Sequence, residues 1–599
     1  MSDLLSSANG IHWDLRDLYA EATDPQIEAD LAACSQRCAA FSDAYRQLFN
    51  APGPTAPALL QALQEYEQIS IVTGKLASYT GLITSVDTAN SDFQRLDDRI
   101  NQKLVEFGNQ LTFFDLGWLG LAEDVAQALI ADPQLANYTH YLSSARRYKP
   151  HTLSEPEELL LNQKSLTART AWINLFDEFV SSLRYTLDYN GEVKTLTQPQ
   201  ILSLSYDPDR AKRKAAQVCL YGELEKNELV LTNIFNALAQ DHGLNDEIRS
   251  YASPLASRHL ANEIAPEVVD RMLEVAEANY PVAHEYYALK AKLLGLEKMA
   301  TYDQYAPVAT NMPTCRYEEG RDTVLEAFGR FHPRMREVAS EFFDKNWIDA
   351  EVRPNKRGGA FSASTVNTVH PYILLNWTDK IRDVSTMAHE LGHGIHQYLS
   401  RKQSYLNFHH PLTVAETASV FGEFLTFDYV METTTDPKVK LGLLCSKIED
   451  AFATVFRQNV LTRFEQRAHT ARRKEKLSSE ELCEHWWQAN HALYGNAVDM
   501  LEQYRWGWAY IPHFIHTPFY CYAYVFGELL VLSLYRMYQE EGKSFVPRYL
   551  ELLESGSSAA PEVLLKRLGA DIRDPGFWQK GLDVLKDMVD KAKELVKTV

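Results

Sequence analysis

Two histidines and a glutamate at fixed offsets, His389-Glu390-Leu391-Gly392-His393, are the residues of this chain whose types and spacing could do chemistry. The run from Ser385 to His396 reads as a helix, with Asp383 or Ser385 able to accept a hydrogen bond from the free N–H groups of its first turn. Residues four apart share a helix face, so His389 and His393 project together. Two imidazoles on one face can hold a zinc ion, and Glu390 beside them can serve as base toward a metal-activated water. The plainer reading is a polar helix with two ordinary histidines. Leu391 and Ile395 weigh against it, because they place the helix in an interior where imidazole and carboxylate groups need partners.

A two-histidine site requires a third protein ligand. A glycine and a third histidine downstream could complete it, but the positions where they would fall hold His396 and Leu399. The alternative is a carboxylate on a second helix, and the run Val414 to Leu425 supplies one after a loop broken by Pro411. Glu416 and Glu423 lie seven apart, two turns along one face of what reads as a continuous helix. Solvated glutamates are the plainer reading. On an otherwise apolar face, however, two carboxylates need a strong partner, which makes Glu416 the third ligand and Glu423 the group that orients a ligand histidine.

These residues carry a resemblance. His389-Glu390-Leu391-Gly392-His393-Gly394-Ile395-His396, followed by Ala415-Glu416-Thr417-Ala418-Ser419, resembles the M3 family of zinc peptidases, in its oligoendopeptidase F branch. The resemblance implies a mostly α, two-lobed helical oligopeptidase with a deep substrate channel, one zinc ion and short peptides as substrates. It also implies a small β-sheet beside the zinc helix.

Composition bounds the alternatives. The 599 residues can bury a large core, and 23% charged with 45% apolar residues is ordinary for a globular protein. A formal charge of -20 argues against nucleic acid, whose phosphates require a basic surface. Seven scattered cysteines without a Cys-x-x-Cys pair suit a reducing compartment. The start, Met1 to Ser7, lacks a basic region followed by an apolar core, so a cytoplasmic location is expected. Pro518 to Tyr535 is nearly uncharged, but Tyr520, Tyr522, Tyr524 and Glu528 suit a buried helix better than a membrane span.

The remaining elements frame the motif. Three- and four-residue apolar spacing at Leu59–Tyr66 and Phe93–Ile100 predicts helices, and Ser154 with Glu157 predicts a capping box. Tyr79-Thr80, Asp87 to Ser91 and His151 to Glu155 resemble the N-terminal lobe of oligoendopeptidase F. Tyr185 to Val193 predicts a hairpin turning at Asn190-Gly191, and the division between an N-terminal helical lobe (1–197) and an M3-type catalytic domain (198–599) is placed just after it. Gly358 and Gly359 predict a turn, and Tyr372 to Trp377 a short apolar strand. Strands there could pair with an extended peptide, the glycines admitting close backbone approach, or form a purely structural hairpin. The M3 resemblance favours substrate binding. Asp436-Pro437 predicts a helix start, with helices almost to the end.

The segment Ile511 to Tyr524 holds His513, His516, Tyr520, Tyr522 and Tyr524. Neutral donors of these types, aimed at the oxygen on which charge develops in peptide hydrolysis, would lower its barrier. An aromatic core stripe is the plainer reading. M3 enzymes carry a histidine and tyrosines in the matching segment; counting back from Phe526-Gly527-Glu528 places Tyr524 on one family tyrosine, and Tyr520 falls one residue from the second. His513 and Tyr524 are therefore the first candidates, Tyr520 the next, and His516 the last.

Together these features predict a zinc-dependent endopeptidase of short oligopeptides, with His389, His393 and Glu416 on the metal and Glu390 as base. A dipeptidyl carboxypeptidase on the same scaffold would need a basic residue for the substrate's terminal carboxylate. A catalytically silent peptide-binding protein would be expected to lack a ligand or Glu390, and all four residues are present. Two His and one Glu also accept other divalent metals, and nothing here sets the oligomeric state.

Overall fold

The computed structural model describes residues 6–309 and 312–598; residues 1–5 of the stretch read above for a leader lie outside the described residues. The chain is mostly helical, with three small sheets among the described residues, and it divides into two compact units. Neither unit is continuous in sequence. The first holds 1–149, 313–433 and 537–571, the second 150–312, 434–536 and 572–599. The expected division at 197/198 is drawn along the sequence, whereas these units gather segments hundreds of residues apart by packing. No helix among the described residues is long and apolar enough to cross a membrane.

In the first unit, Pro25–Tyr45, Ala56–Val86 and Ser91–Gly120 pack on one another, and they include both helices predicted from apolar spacing. Asn90 caps the third, its side-chain oxygen accepting from the N–H groups of Asp92 and Phe93. Phe41 and Phe114 are buried between these helices with ring centroids 5.3 Å apart. Burying one such side chain is worth about 1.5–3 kcal/mol.

The motif occupies the helix Ile381–Ser400 of the same unit. Neither predicted cap stands at its start. Asp383 lies in the first turn, and its carboxylate accepts from the backbone N–H groups of Thr378 (2.7 Å) and Lys380 (3.1 Å). Ser385 sits further inside, its hydroxyl free for another partner. The helix packs against Tyr317–Phe331, Pro333–Asp344, Ser419–Thr433 and Val546–Glu554.

A three-stranded sheet lies beside it. Tyr372–Leu374 runs in the middle, parallel to Ile348–Asp349 and antiparallel to Phe361–Ala363, with Ser362 opposite Ile373. Ser362 ties this sheet to the motif helix: its Oγ donates to Gln397 Oε1 (2.8 Å), and Gln397 Nε2 donates back to its carbonyl (3.3 Å). Phe361–Ala363 is an edge strand and partly exposed.

The second unit begins with the predicted capping box of Ser154 and Glu157 and the predicted hairpin. Tyr185–Tyr189 pairs with Glu192–Leu196 through Asn190 (φ 53°) and Gly191 (φ 77°), the left-handed pair that a tight hairpin turn needs. Asp436 caps Pro437–Phe452 as expected, accepting from Lys438 N at 2.8 Å. Helix Cys521–Glu541, whose residues to Arg536 lie in this unit, is a buried helix packed in protein.

Candidate active site

The first unit brings His389, His393 and Glu416 together. The two Nε2 atoms are 3.1 Å apart, and each lies 3.4 Å from Glu416 Oε2. Three ligand atoms bound tetrahedrally to a zinc ion stand about 3.4 Å from one another, so this triangle fits such an ion in size as well as in donor type. One carboxylate and two imidazoles are also the donor set that leaves a fourth position open.

The tautomer of one ligand is fixed by its neighbour. Glu423 Oε1 accepts from His389 Nδ1 at 2.6 Å, which turns the Nε2 lone pair toward Glu416 and His393. Ser385 Oγ donates to the other oxygen of Glu423 at 3.0 Å, and Ser419 Oγ donates to Glu416 Oε2 at 2.6 Å. Sequence reasoning did not find these two serines in their supporting roles; Ser419, three residues after Glu416, offered the only cue.

The predicted continuous helix through both glutamates is broken. Leu412–Ala415 ends before Glu416, and the next helix starts at Ser419. The break has tertiary causes. Tyr549 Oη donates to the Thr417 carbonyl at 2.8 Å, holding the turn open. Gly392 lies directly beneath it: a Cβ at that position would stand 2.3 Å from Ala418 O and 2.6 Å from Ser419 Cα. Both atoms are backbone and cannot swing aside, so only glycine lets the turn bring Glu416 to the histidines. Gly392→Ala is expected to destabilise the fold by about 1–3 kcal/mol and to weaken metal binding, measured by denaturant unfolding and zinc titration.

The carboxylates and imidazoles of this centre set one another's protonation. Burial opposes ionisation of Glu416, yet His393 and His389, with the Ser419 hydroxyl, hold its pKa down at about 2. Burial likewise opposes protonation of His389, but the Glu423 hydrogen bond and the nearby carboxylates raise its pKa to about 9. Glu390 is buried and accepts no hydrogen bond from the described residues. Burial raises its pKa above the ordinary carboxylate value, against the lowering effect of the two histidines. A desolvated carboxylate with free lone pairs is a competent proton acceptor.

The glycine turn is in the same unit. Gly359 takes φ 81°, which demands glycine, while a Cβ on either Gly358 or Gly359 would meet nothing within 4 Å. Asn376 Nδ2 donates to the carbonyls of Arg357 (3.0 Å) and Gly359 (2.8 Å), fixing the turn against the strand that follows.

In the second unit, His513, Tyr520 and Tyr524 form one aromatic cluster. His513 Nε2 is 3.3 Å from Tyr524 Oη; its ring stacks 6.1 Å from Tyr520, and the two tyrosine rings meet edge-on at 5.1 Å. Burial, then the charge of Arg457, lowers the His513 pKa and keeps the imidazole neutral. His516 is elsewhere, paired with Asp177 at 2.8 Å. Tyr522 is fully buried and accepts from Asn262 Nδ2 at 2.8 Å, as a core side chain would.

Tyr520 follows Phe519, whose φ of 60° is unusual for a bulky residue. The Phe519 N–H donates to Glu465 Oε1 at 2.7 Å, and Glu465 is fully buried. Burial pushes the Glu465 pKa up to about 8, against that N–H and Arg258. The folded chain thus keeps a proton that the unfolded chain loses above about pH 4.5. Stability from this group falls as pH rises from about 4.5 to 8 and levels off beyond. Glu465→Gln should remove that dependence, on the order of a few kcal/mol between pH 5 and pH 8 in paired denaturation curves.

Comparison with known proteins agrees with this architecture. Residues 203–584 match the model of peptidase family M3, and residues 118–185 match that of oligopeptidase F. Oligoendopeptidase F (plasmid) of Lactococcus lactis subsp. cremoris is 28% identical over 593 residues, covering 98% of this chain and 97% of its own. Oligopeptidase PepF of Bacillus subtilis is 27% identical over 551 residues, 91% of this chain and 82% of its own. The crystal structure of oligoendopeptidase-F from Enterococcus faecium superposes with a TM-score of 0.71 at 23% identity, over 96% of this chain and 99% of that one, and so shares its fold. With the M3 model spanning well over half of its length, the chain belongs to peptidase family M3, in the oligoendopeptidase F branch, and is a metalloendopeptidase.

Proposed function

We propose that this protein is a zinc-dependent endopeptidase that hydrolyses internal peptide bonds of short oligopeptides. The observation that carries the reading is the triangle of His389 Nε2, His393 Nε2 and Glu416 Oε2, with sides of 3.1–3.4 Å, beside the buried carboxylate of Glu390. His389, His393 and Glu416 would hold one ion. Zinc, when bound there, supplies a Lewis acid that acidifies water and polarises a carbonyl.

The chain's own groups do the rest. Glu423 keeps His389 in the tautomer whose Nε2 is a lone pair. Glu390 accepts a proton from the attacking water and passes it to the nitrogen of the leaving amine. His513 and Tyr524, with Tyr520 as the next candidate, donate hydrogen bonds to the carbonyl oxygen as it becomes negative. Gly358 and Gly359, with the edge strand Phe361–Ala363, bind the extended substrate through main-chain hydrogen bonds. Short peptides are the substrate class proposed here, because the curated relatives are named oligopeptidases. A cytoplasmic location and independence from nucleic acid and membranes belong to the same reading.

The test is cleavage of an internally quenched peptide blocked at both ends. Cleavage within the sequence supports the endopeptidase. Trimming of a free peptide without cleavage of the blocked one would assign a dipeptidyl carboxypeptidase, and peptide binding without cleavage a silent receptor.

A further inference from the structure

The turn that leads into Tyr520 uses a backbone position ordinarily given to glycine. His513–His516 make one helical turn, and Tyr520 N then donates to the Thr517 carbonyl at 3.2 Å. That bond closes a four-residue turn with Pro518 second and Phe519 third. Proline second and a positive φ third mark a type II turn, whose third residue is usually glycine or asparagine. Here it is Phe519 at φ 60°, fully buried, its ring 4.7 Å from His469 and 5.6 Å from His242. The left-handed conformation costs such a residue about 1–2 kcal/mol. Rotating one peptide group, between Pro518 and Phe519, would convert the turn to type I and relieve that cost.

That peptide group is held from both ends. Its N–H donates to Glu465 Oε1 at 2.7 Å, and its carbonyl accepts from Arg258 Nη2 at the longer distance of 3.5 Å. Glu465 sits in the helix Gln458–Arg472 and is 0% exposed, so water does not compete for the bond. A flipped peptide would point its N–H away from Glu465, and a buried N–H left without an acceptor costs about 1–3 kcal/mol. This penalty matches or exceeds the strain it opposes, so Glu465 tips the balance toward the strained turn. The helix Cys521–Glu541 starts two residues after Phe519, so the turn also fixes where Tyr520 stands. Its ring lies 6.1 Å from that of His513 at an interplanar angle of 19°, and edge-on to Tyr524 at 5.1 Å.

We propose that Glu465 is a positioning residue for Tyr520: by accepting the Phe519 N–H it selects the strained turn, which presents Tyr520 beside His513 and Tyr524 to the substrate's carbonyl oxygen. The inference rests on the peptidase reading, which gives those three side chains that oxygen as their partner. Glu465 itself is buried and acts only through the turn.

The experiment measures kcat and KM of the zinc-loaded full chain for a quenched peptide blocked at both ends. Glu465→Gln keeps an oxygen for the Phe519 N–H, and its kcat is expected within about threefold of wild type. Glu465→Met has a similar length without that acceptor. Its kcat should fall about 10–100-fold at nearly constant KM, the loss expected from a misplaced oxyanion donor. Tyr520→Phe should lose a similar factor, and adding Glu465→Met to it should cost little more, because both changes act on one hydroxyl. A merely structural role would instead multiply the two losses. Glu465→Leu, of different shape, keeps the test open if Glu465→Met does not fold. Full kcat in Glu465→Met or in Tyr520→Phe, or losses that multiply in the double variant, would overturn the proposal.

Crystal structures of Glu465→Gln and Glu465→Met read the turn without reference to catalysis. Phe519 is expected to keep its positive φ in the first and to leave it in the second, with Tyr520 turned off His513. That result, with no peptide cleaved by the wild type, would sink the peptidase reading and leave the hold of Glu465 on the turn standing. Cleavage by the wild type with the turn unchanged in Glu465→Met would sink the positioning role alone.

Discussion

Glu390→Gln is expected to lower kcat for a blocked peptide by about 10²–10⁴-fold, with one zinc still bound per chain. Glutamine has the shape of glutamate but cannot accept and return a proton. Glu390 makes no hydrogen bond to described residues, so the substitution leaves no orphaned partner and the fold should persist. Kinetics, with metal content measured on the same samples, check the expectation. Activity within a factor of three of wild type would remove Glu390 from the mechanism.

Glu416→Ala should act one step earlier, on the metal. It deletes one corner of the ligand triangle and leaves Ser419 Oγ with only the backbone carbonyl of residue 416 as acceptor. Glu423→Ala, by contrast, leaves all three ligand atoms in place and removes the carboxylate that orients His389 and accepts from Ser385 Oγ. A supporting carboxylate is worth about 10–100-fold in metal affinity, so Glu423→Ala is expected in that range and Glu416→Ala well beyond it. Competition with a chelating dye gives both constants. Equal losses, or a larger loss in Glu423→Ala, would exchange the roles assigned to the two glutamates.

The candidate centre was legible in the sequence because its geometry is local. Helical spacing alone places His389 and His393 on one face, and an apolar stretch with two carboxylates marks the second element. The shape of that element was not legible. Val414 to Leu425 has the periodicity of one helix, and the break at Glu416 depends on Tyr549, more than a hundred residues away, and on the close approach at Gly392. In the aromatic segment the candidates His513, Tyr524 and Tyr520 were readable by residue type and spacing, whereas their clustering, with Tyr522 buried against Asn262 instead, follows from packing. The two compact units are likewise products of long-range packing, so no stretch of composition announces them.

The central claim is that a single metal at His389, His393 and Glu416 is required for hydrolysis of internal peptide bonds. It is tested most directly by stripping the protein with a chelator and titrating zinc back while following cleavage of a peptide blocked at both ends. The account predicts no cleavage by the stripped protein and full recovery at about one equivalent of zinc per chain. Cleavage that survives complete removal of metal, or none at any loading of zinc or another divalent ion, would contradict it.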